Sequence, residues 1–501
     1  MADVILGEET GTSPQRPRTI LQHAIEVISM IVVFVVVTVA APAAIALVFI
    51  LLPIAPASPS FDTSQIPWII LYALLMTIIF VVYPGSAQDL FFREPGRSKY
   101  NPVPGIAAVI LHLIFTAFIP WAAGKYPIFF LAYPIAIVVQ TVSTRVTLKK
   151  AFGFESTPIE TSTWPNPKHT ILTEKQLTKL RAALQGSRTL FLMIVTICLV
   201  IFTQIPEDNP LLQSVGGLAL GSIGLCVRFA IPWLFFDKMD LGRHPQLHLD
   251  RNMREYSSFY LEMASDVYFQ LALPKVESAV VFALMLSLNV VSFVVGSLWL
   301  FPQFASWMQS QPYVQVPSSQ LGLVRKIGNL GIRRLSAAAS LSTRVEPAAH
   351  SDIAVEGERT AAMGEWHKEA RISLFMRWFA QVNATAAFLT MLSLAQFSYN
   401  GRYLAFRPVD DDTYWHSVKL ACITCACESG ALIVMSIASA FSFDRFDSDD
   451  NVSFFYIGYE LLKTDRKAWY FTMMTSALVV SISLLMFIQQ LNWMYALYAS
   501  H

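Results

Sequence analysis

The sequence predicts an all-α, polytopic integral membrane protein with ten or eleven transmembrane helices. Three observations carry that expectation. Hydrophobic residues make up 54% of the chain and charged residues only 14%, where soluble chains carry about a quarter charged residues. Ten apolar runs reach or approach the ~20 residues needed to cross ~30 Å of hydrocarbon. The basic residues between those runs are distributed unevenly, as membrane topology requires.

The first run, 24–54, follows a polar tail at 1–23. It is too long for the apolar segment of a cleavable signal, so it is expected to stay as an anchor, with Pro42 tilting or kinking it. Further spans are predicted at 66–83, 103–121, 126–143, 189–204, 211–236, 279–301, 373–397, 417–441 and 468–490. The chain thus divides into a membrane block at 24–301, a loop at 302–372, a second block at 373–490 and a tail at 491–501. Inside the first block, the 144–188 loop holds a short predicted helix, opened by a capping box of Thr173 and Gln176. The 302–372 loop has too few apolar residues for a domain and is expected to be mostly disordered. Within it, 320–341 reads as a basic amphipathic helix suited to the headgroup layer, with Leu323, Ile327, Leu330, Arg325, Lys326, Arg333 and Arg334.

Loop charges give the orientation. Arg16 and Arg18 precede the first span, 55–65 has no basic residue, and Arg93, Arg97 and Lys99 follow the second. The 144–188 loop has eight, 205–210 none and 237–255 four. This alternation places the N-terminus and the 144–188 loop in the cytosol. Downstream, the basic loops 302–372 and 442–467 stay cytosolic only if 256–274 is an eleventh crossing. Glu262 and Asp266 make that segment a poor span, and the competing expectation is a helix lying on the surface. An outward 442–467 loop would instead suit the glycosylation sequon at Asn451.

Composition narrows the partners. With 36 basic against 35 acidic side chains, no nucleic acid is expected. The bilayer and a hydrophobic small molecule are. All five cysteines lie in apolar runs, so no disulfide framework is implied. Ser336 follows Arg333-Arg334-Leu335, which suits a basophilic kinase if the loop is cytosolic.

Charged groups inside spans mark candidate sites, because they are costly there. They are Arg228, Arg377, Glu428 and, as a titratable ring, His112. Arg377 is one turn inside its span and is expected to snorkel outward. Glu428, at mid-span, either pairs across helices or handles protons. Cys422, Cys425 and Cys427 do not share one helical face, so packing is the expected role rather than a metal site. His244 and His248, interrupted by Pro245, make a weak ligand pair. Small residues at Ala421, Cys425 and Ser429, and at Gly217 and Gly221, suit close helix approach.

Two apolar runs end alike, in FDKMD at 236–240 and FDRFD at 443–447, a weak internal repeat. Asp237 and Asp240 with Asp444 and Asp447 could hold Mg²⁺ if a diphosphate is the substrate, with Arg243 and Arg445 offsetting its charge. The layout resembles that of intramembrane prenyltransferases. This chain lacks that family's asparagine-led, longer aspartate pattern and has more spans, so membership is not implied.

Three functional classes follow as expectations. The first is a membrane-embedded enzyme, a cyclase or transferase acting on a lipid-like or isoprenoid substrate, using Glu428 or the aspartates. The second is a secondary transporter built around Glu428 and Arg228. The third is a receptor or scaffold without chemistry.

Overall fold

The computed structural model describes residues 20–53, 66–86, 102–114, 249–272, 278–298, 349–404, 407, 408, 410–442 and 466–498, with isolated positions in 211–222 and at 276, 458, 459 and 462. The described residues are mostly helical, with no strand among them. Four of these helices are long and apolar enough to cross a membrane, over Ile28–Leu51, Ile69–Ser86, Ile372–Phe397 and Asp411–Met435. The expected spans at 126–143 and 189–204, the 144–188 loop and the 320–341 segment lie outside the described residues.

Helix α1 (Ile20–Leu51) continues through Pro42. Val37, Ala41, Ile45 and Phe49, four apart, are buried on one stripe, while Val32, Val35, Val36, Val39 and Leu47 are exposed. Both faces are apolar, unlike a surface helix of a soluble protein, whose outer face is polar. Helix α2 (Ile66–Thr77) runs into a π turn at Ile78–Val82. Helix α3 (Val103–Leu113) has proline in its first turn, where no intrahelical N–H is needed. It approaches that π turn so closely that a Cβ on Gly105 would lie 2.4 Å from the Phe80 carbonyl oxygen.

Next come α4 (Leu249–Ala272), α5 (Ala279–Leu298), α6 (Ala349–Phe397), α7 (Asp411–Ser442) and α8 (Arg466–Tyr498). Helix α6 starts at Ala349, so 349–372, expected as the end of a disordered loop, is helical instead. The cause is local: the segment is rich in Ala and Glu and has no proline. A 3₁₀ turn at Tyr399–Tyr403 ends α6. Asp410 caps α7 by accepting the Thr413 N–H at 2.7 Å. Hydrogen bonds from the Thr413 side chain and backbone hold its carboxyl below the usual range.

Helix α6 is the central element, packed on α1, α4, α7 and α8. Its buried rings make a stack with α1: Phe34 to Phe375 at 5.8 Å and Phe375 to Phe379 at 5.5 Å between centroids. On α4, every described side chain from Phe259 to Ala272 is buried except the half-buried Ser265. That differs from the surface-helix expectation for 256–274. Burial on all sides is possible in part because Glu262 of α4 pairs with Arg377 of α6.

Pairwise contacts fix the helix directions. Glu262 meets Arg377 and Gln270 meets Thr385, so α4 and α6 run the same way. Phe34 meets Phe375, and Asn400 bonds the Phe49 and Leu52 carbonyls, so α1 joins them. Gly458 lies against Phe375 and Ser476 bonds Asn383, which sets α8 parallel as well. Ser393 bonds Tyr414 and Thr385 bonds Cys425, so α7 is antiparallel to α6. Arg377–Ser297 and Asn289–Glu428 make α5 antiparallel too. The N-terminal ends of α1, α4, α6 and α8 therefore share one end of the bundle with the C-terminal ends of α5 and α7.

Candidate functional site

The site follows from two four-residue rhythms. Glu262, Asp266 and Gln270 recur every four residues on α4, and Arg377, Gln381 and Thr385 do so on α6. Side chains four apart share a helix face, and the two helices run parallel, so the two stripes meet turn by turn. At the first turn Arg377 Nε lies 3.6 Å from Glu262 Oε1. At the third, Gln270 Nε2 donates to Thr385 Oγ1 at 2.9 Å. Between them stand Asp266, 2% exposed, and Gln381, 0% exposed.

The stripe closes into a circuit through α5 and α7. Arg377 Nη1 donates to Ser297 Oγ at 3.3 Å. Two turns along α5, Asn289 Nδ2 donates to Glu428 Oε1 of α7. One turn from Glu428, Cys425 shares a hydrogen bond with Thr385, which returns the path to Gln270 and α4. Four helices are thus joined by polar contacts spread over about two helical turns, inside a bundle whose other described interior is largely apolar. Each contact offsets part of a large desolvation cost, since a lone buried charge is strongly disfavoured. A separate polar contact ties α8 to α6, where Ser476 Oγ donates to Asn383 Oδ1 at 3.1 Å.

Several groups in this region lack a hydrogen bond. They are Glu262 Oε2, Gln270 Oε1, Arg377 Nε and both amide atoms of Gln381. All are buried, and buried polar atoms normally find partners. Gln381 is the extreme case, since neither end of its amide is bonded.

The sequence-predicted residues are placed as follows. Glu428 is fully buried and accepts a hydrogen bond from Asn289, an amide rather than an arginine. Arg377 does not snorkel: its side chain is 14% exposed and turned inward. Glu262 supplies the counter-charge that makes the inward rotamer favourable. His112 belongs to the α2–α3 contact, joined to the Tyr72 hydroxyl through Nδ1 at 2.8 Å with the Phe80 ring 6.1 Å away. Cys422 and Cys427 are exposed, Cys425 half-buried, and all three are free thiols. Among the described residues no three His, Cys, Asp or Glu side chains gather as a metal site. Gly217 packs on α5 so tightly that a Cβ would lie 2.7 Å from Met285 Cγ, in keeping with a close approach there. Asp237, Asp240, Asp444, Asp447, Arg228, Arg243, Arg445, His244, His248 and Ser336 lie outside the described residues.

Asn289, Gln270, Gln381 and Asn383 are site residues that a search for charge alone passes over. Their signal was an amide standing in an apolar run, as in LSLNVV and WFAQVNATAAF. Comparison of the chain with family models, curated proteins and solved structures finds no match.

Proposed function

We propose that this chain is a polytopic membrane protein that moves a proton or another small polar species across the bilayer. The observation that carries the proposal is the buried circuit of Glu262, Arg377, Asn289 and Glu428 across four helices. Ionisable groups at membrane depth are expensive, and they concentrate where an ion or proton passes. The exposed apolar side chains on α1, α3, α5 and α7, among them Val35, Ile110, Val291 and Val434, support a lipid-facing exterior. Glu428 is the proton-handling residue of this reading, and Asn289 orients it.

Helix directions support the eleven-span arrangement with a cytosolic N-terminus. Tyr83, just past the π turn, packs on Tyr260 of α4 and Phe471 of α8, so with α4 counted as a crossing the helix ends leading to 87–101, 237–248, 302–348 and 443–465 all lie at one end. Those segments hold Arg93, Arg97, Lys99, Lys238, Arg243, Arg325, Lys326 and Arg445, as a cytosolic side should. An epitope placed within 302–348 is therefore expected to be reached only from the cytosol, and Asn451 to carry no glycan. Glycosylation at Asn451 would reject this orientation.

The transport reading is tested by reconstituting the full chain in vesicles that enclose a pH-sensitive dye. Glu428→Gln keeps an acceptor for the Asn289 amide but removes the titratable group. It is expected to abolish proton movement while leaving thermal stability near that of the wild type. Vesicles whose internal pH does not respond to the wild-type chain would overturn the proton reading.

A second reading, the enzyme acting on a lipid-like or isoprenoid substrate, keeps one supporting observation. The N-terminal end of α4 and the C-terminal end of α7 share one end of the bundle. A shared Mg²⁺-diphosphate site of Asp237 and Asp240, which precede α4 in the sequence, with Asp444 and Asp447, which follow α7, would require that arrangement of helix ends.

A further inference from the structure

We infer that Phe397, Tyr399 and Trp415 anchor one end of the bundle in the headgroup layer of a phospholipid bilayer. The inference rests on the membrane reading above and adds to it the plane in which one face of the bilayer lies. Its first support is exposure. The three side chains are 66%, 67% and 63% exposed, so three large rings stand uncovered together rather than singly. They are nevertheless held in place. Phe397 and Trp415 each meet the Tyr414 ring edge-on, at 5.0 and 5.1 Å between centroids. The Arg402 guanidinium lies 4.2 Å from the centre of the Tyr399 ring and donates to its hydroxyl at 2.7 Å.

The second support is level. Ser393 bonds Tyr414 and Gln396 donates to Asp411, so the end of α6 lies beside the start of α7. Asn400 brings the end of α1 to the same height through the Phe49 and Leu52 carbonyls. Three helix ends thus share one rim, and the exposed side chains change character across it. Ile50 and Leu51 of α1 and Cys422 and Cys427 of α7 are exposed on the inner side. Arg402, Arg407, Asp411 and Asp412 are exposed at the rim or beyond it. His416 and Lys419 are exposed too, within about 6 Å of Trp415 along α7, and a lysine there reaches the headgroups by snorkelling. Tyrosine and tryptophan, with an apolar body and a polar edge, suit the layer between hydrocarbon and water, and arginine and lysine anchor in it as well. From this rim Glu428 lies 13 residues along α7 (428 − 415), about 20 Å of helix rise and so within the hydrocarbon.

The test uses the full chain in phosphatidylcholine nanodiscs, carrying one nitroxide per molecule on a single cysteine, with every other cysteine replaced by serine. The labelled sites are the native Cys427 and the variants Arg407→Cys, Trp415→Cys and Tyr399→Cys. Relaxation by oxygen, which concentrates in hydrocarbon, is compared with relaxation by a water-soluble nickel chelate. The label on Cys427 is expected to respond mainly to oxygen and the label at 407 mainly to nickel, with those at 399 and 415 between the two. Phe397→Cys serves if Tyr399→Cys does not fold, since Tyr399 also holds Arg402. With Cys427 in hydrocarbon, labels at 399 and 415 as wet as 407, or as oxygen-accessible as Cys427, overturn the anchor and leave the membrane reading intact. Labels there shielded from both reagents overturn it too, and identify a protein partner seated on the rings. A Cys427 label that responds mainly to nickel would instead sink the membrane reading itself.

Discussion

Arg377→Met is expected to lower the stability of the folded chain by about 3–5 kcal/mol, because it leaves a buried carboxylate without its counter-charge. Glu262 is 3% exposed and 3.6 Å from the guanidinium, and the second anchor of that guanidinium, Ser297, is neutral. Glu262→Met alone should be damaging for the mirror-image reason, with an arginine buried and unpaired. Replacing both partners removes both charges together, and an apolar pair of similar volume can be near neutral where an ion pair was buried. The measurement is a double-mutant cycle on melting in detergent or nanodiscs. Recovery of most of the lost stability in the double variant identifies the pair as the cause. A single variant that melts like the wild type would show that Arg377 reaches water, as the snorkelling expectation had it.

Gly401→Ala is the second change with a large expected effect, about 3 kcal/mol, near the upper end for forcing a methyl group into filled space. A Cβ there would stand 2.0 Å from the Ala395 carbonyl oxygen and 2.7 Å from that of Leu394. Both obstacles are backbone at the end of α6, so neither can swing aside. The neighbouring Asn400 spans from this turn to the end of α1, where its amide donates to the Phe49 and Leu52 carbonyls. Displacing the turn therefore costs the α1–α6 junction as well. Thermal melting checks this, with Gly430→Ala as the control, since a Cβ at 430 meets nothing within 4 Å. Equal melting temperatures for the two variants would discard the argument.

Much of the helical framework was legible in the sequence, because apolar length is a local property. The stretches at 24–54, 66–83, 373–397 and 417–441 each correspond to a helix of spanning length and composition. What was not legible depends on residues far apart. Whether Glu262 and Asp266 place α4 on a surface or in a core is decided by α6, and no local pattern contains that information. The same holds for Arg377, whose direction is set by Glu262. The four-residue rhythms on α4 and α6 are visible in the sequence, yet only the parallel packing of the two helices makes them one site. Glu428 stood out because a lone acid in an apolar run is conspicuous. Asn289, an amide of modest polarity, did not.

The separation between the two stripes also bears on how the chain is made. Glu262 and Arg377 are 115 residues apart (377 − 262), as are Gln270 and Thr385. At ribosomal speeds of about 5–20 residues per second, α4 emerges on the order of ten seconds before the helix that neutralises it. During that interval its acids have no partner on α6, and lipid is a poor solvent for them. In the membrane reading proposed above, helix α4 would have to linger at the translocon, in the headgroup region or under a chaperone until α6 arrives. Assembly of this bundle is a problem of timing, and the last-made helices decide whether an earlier one is retained or handed to degradation.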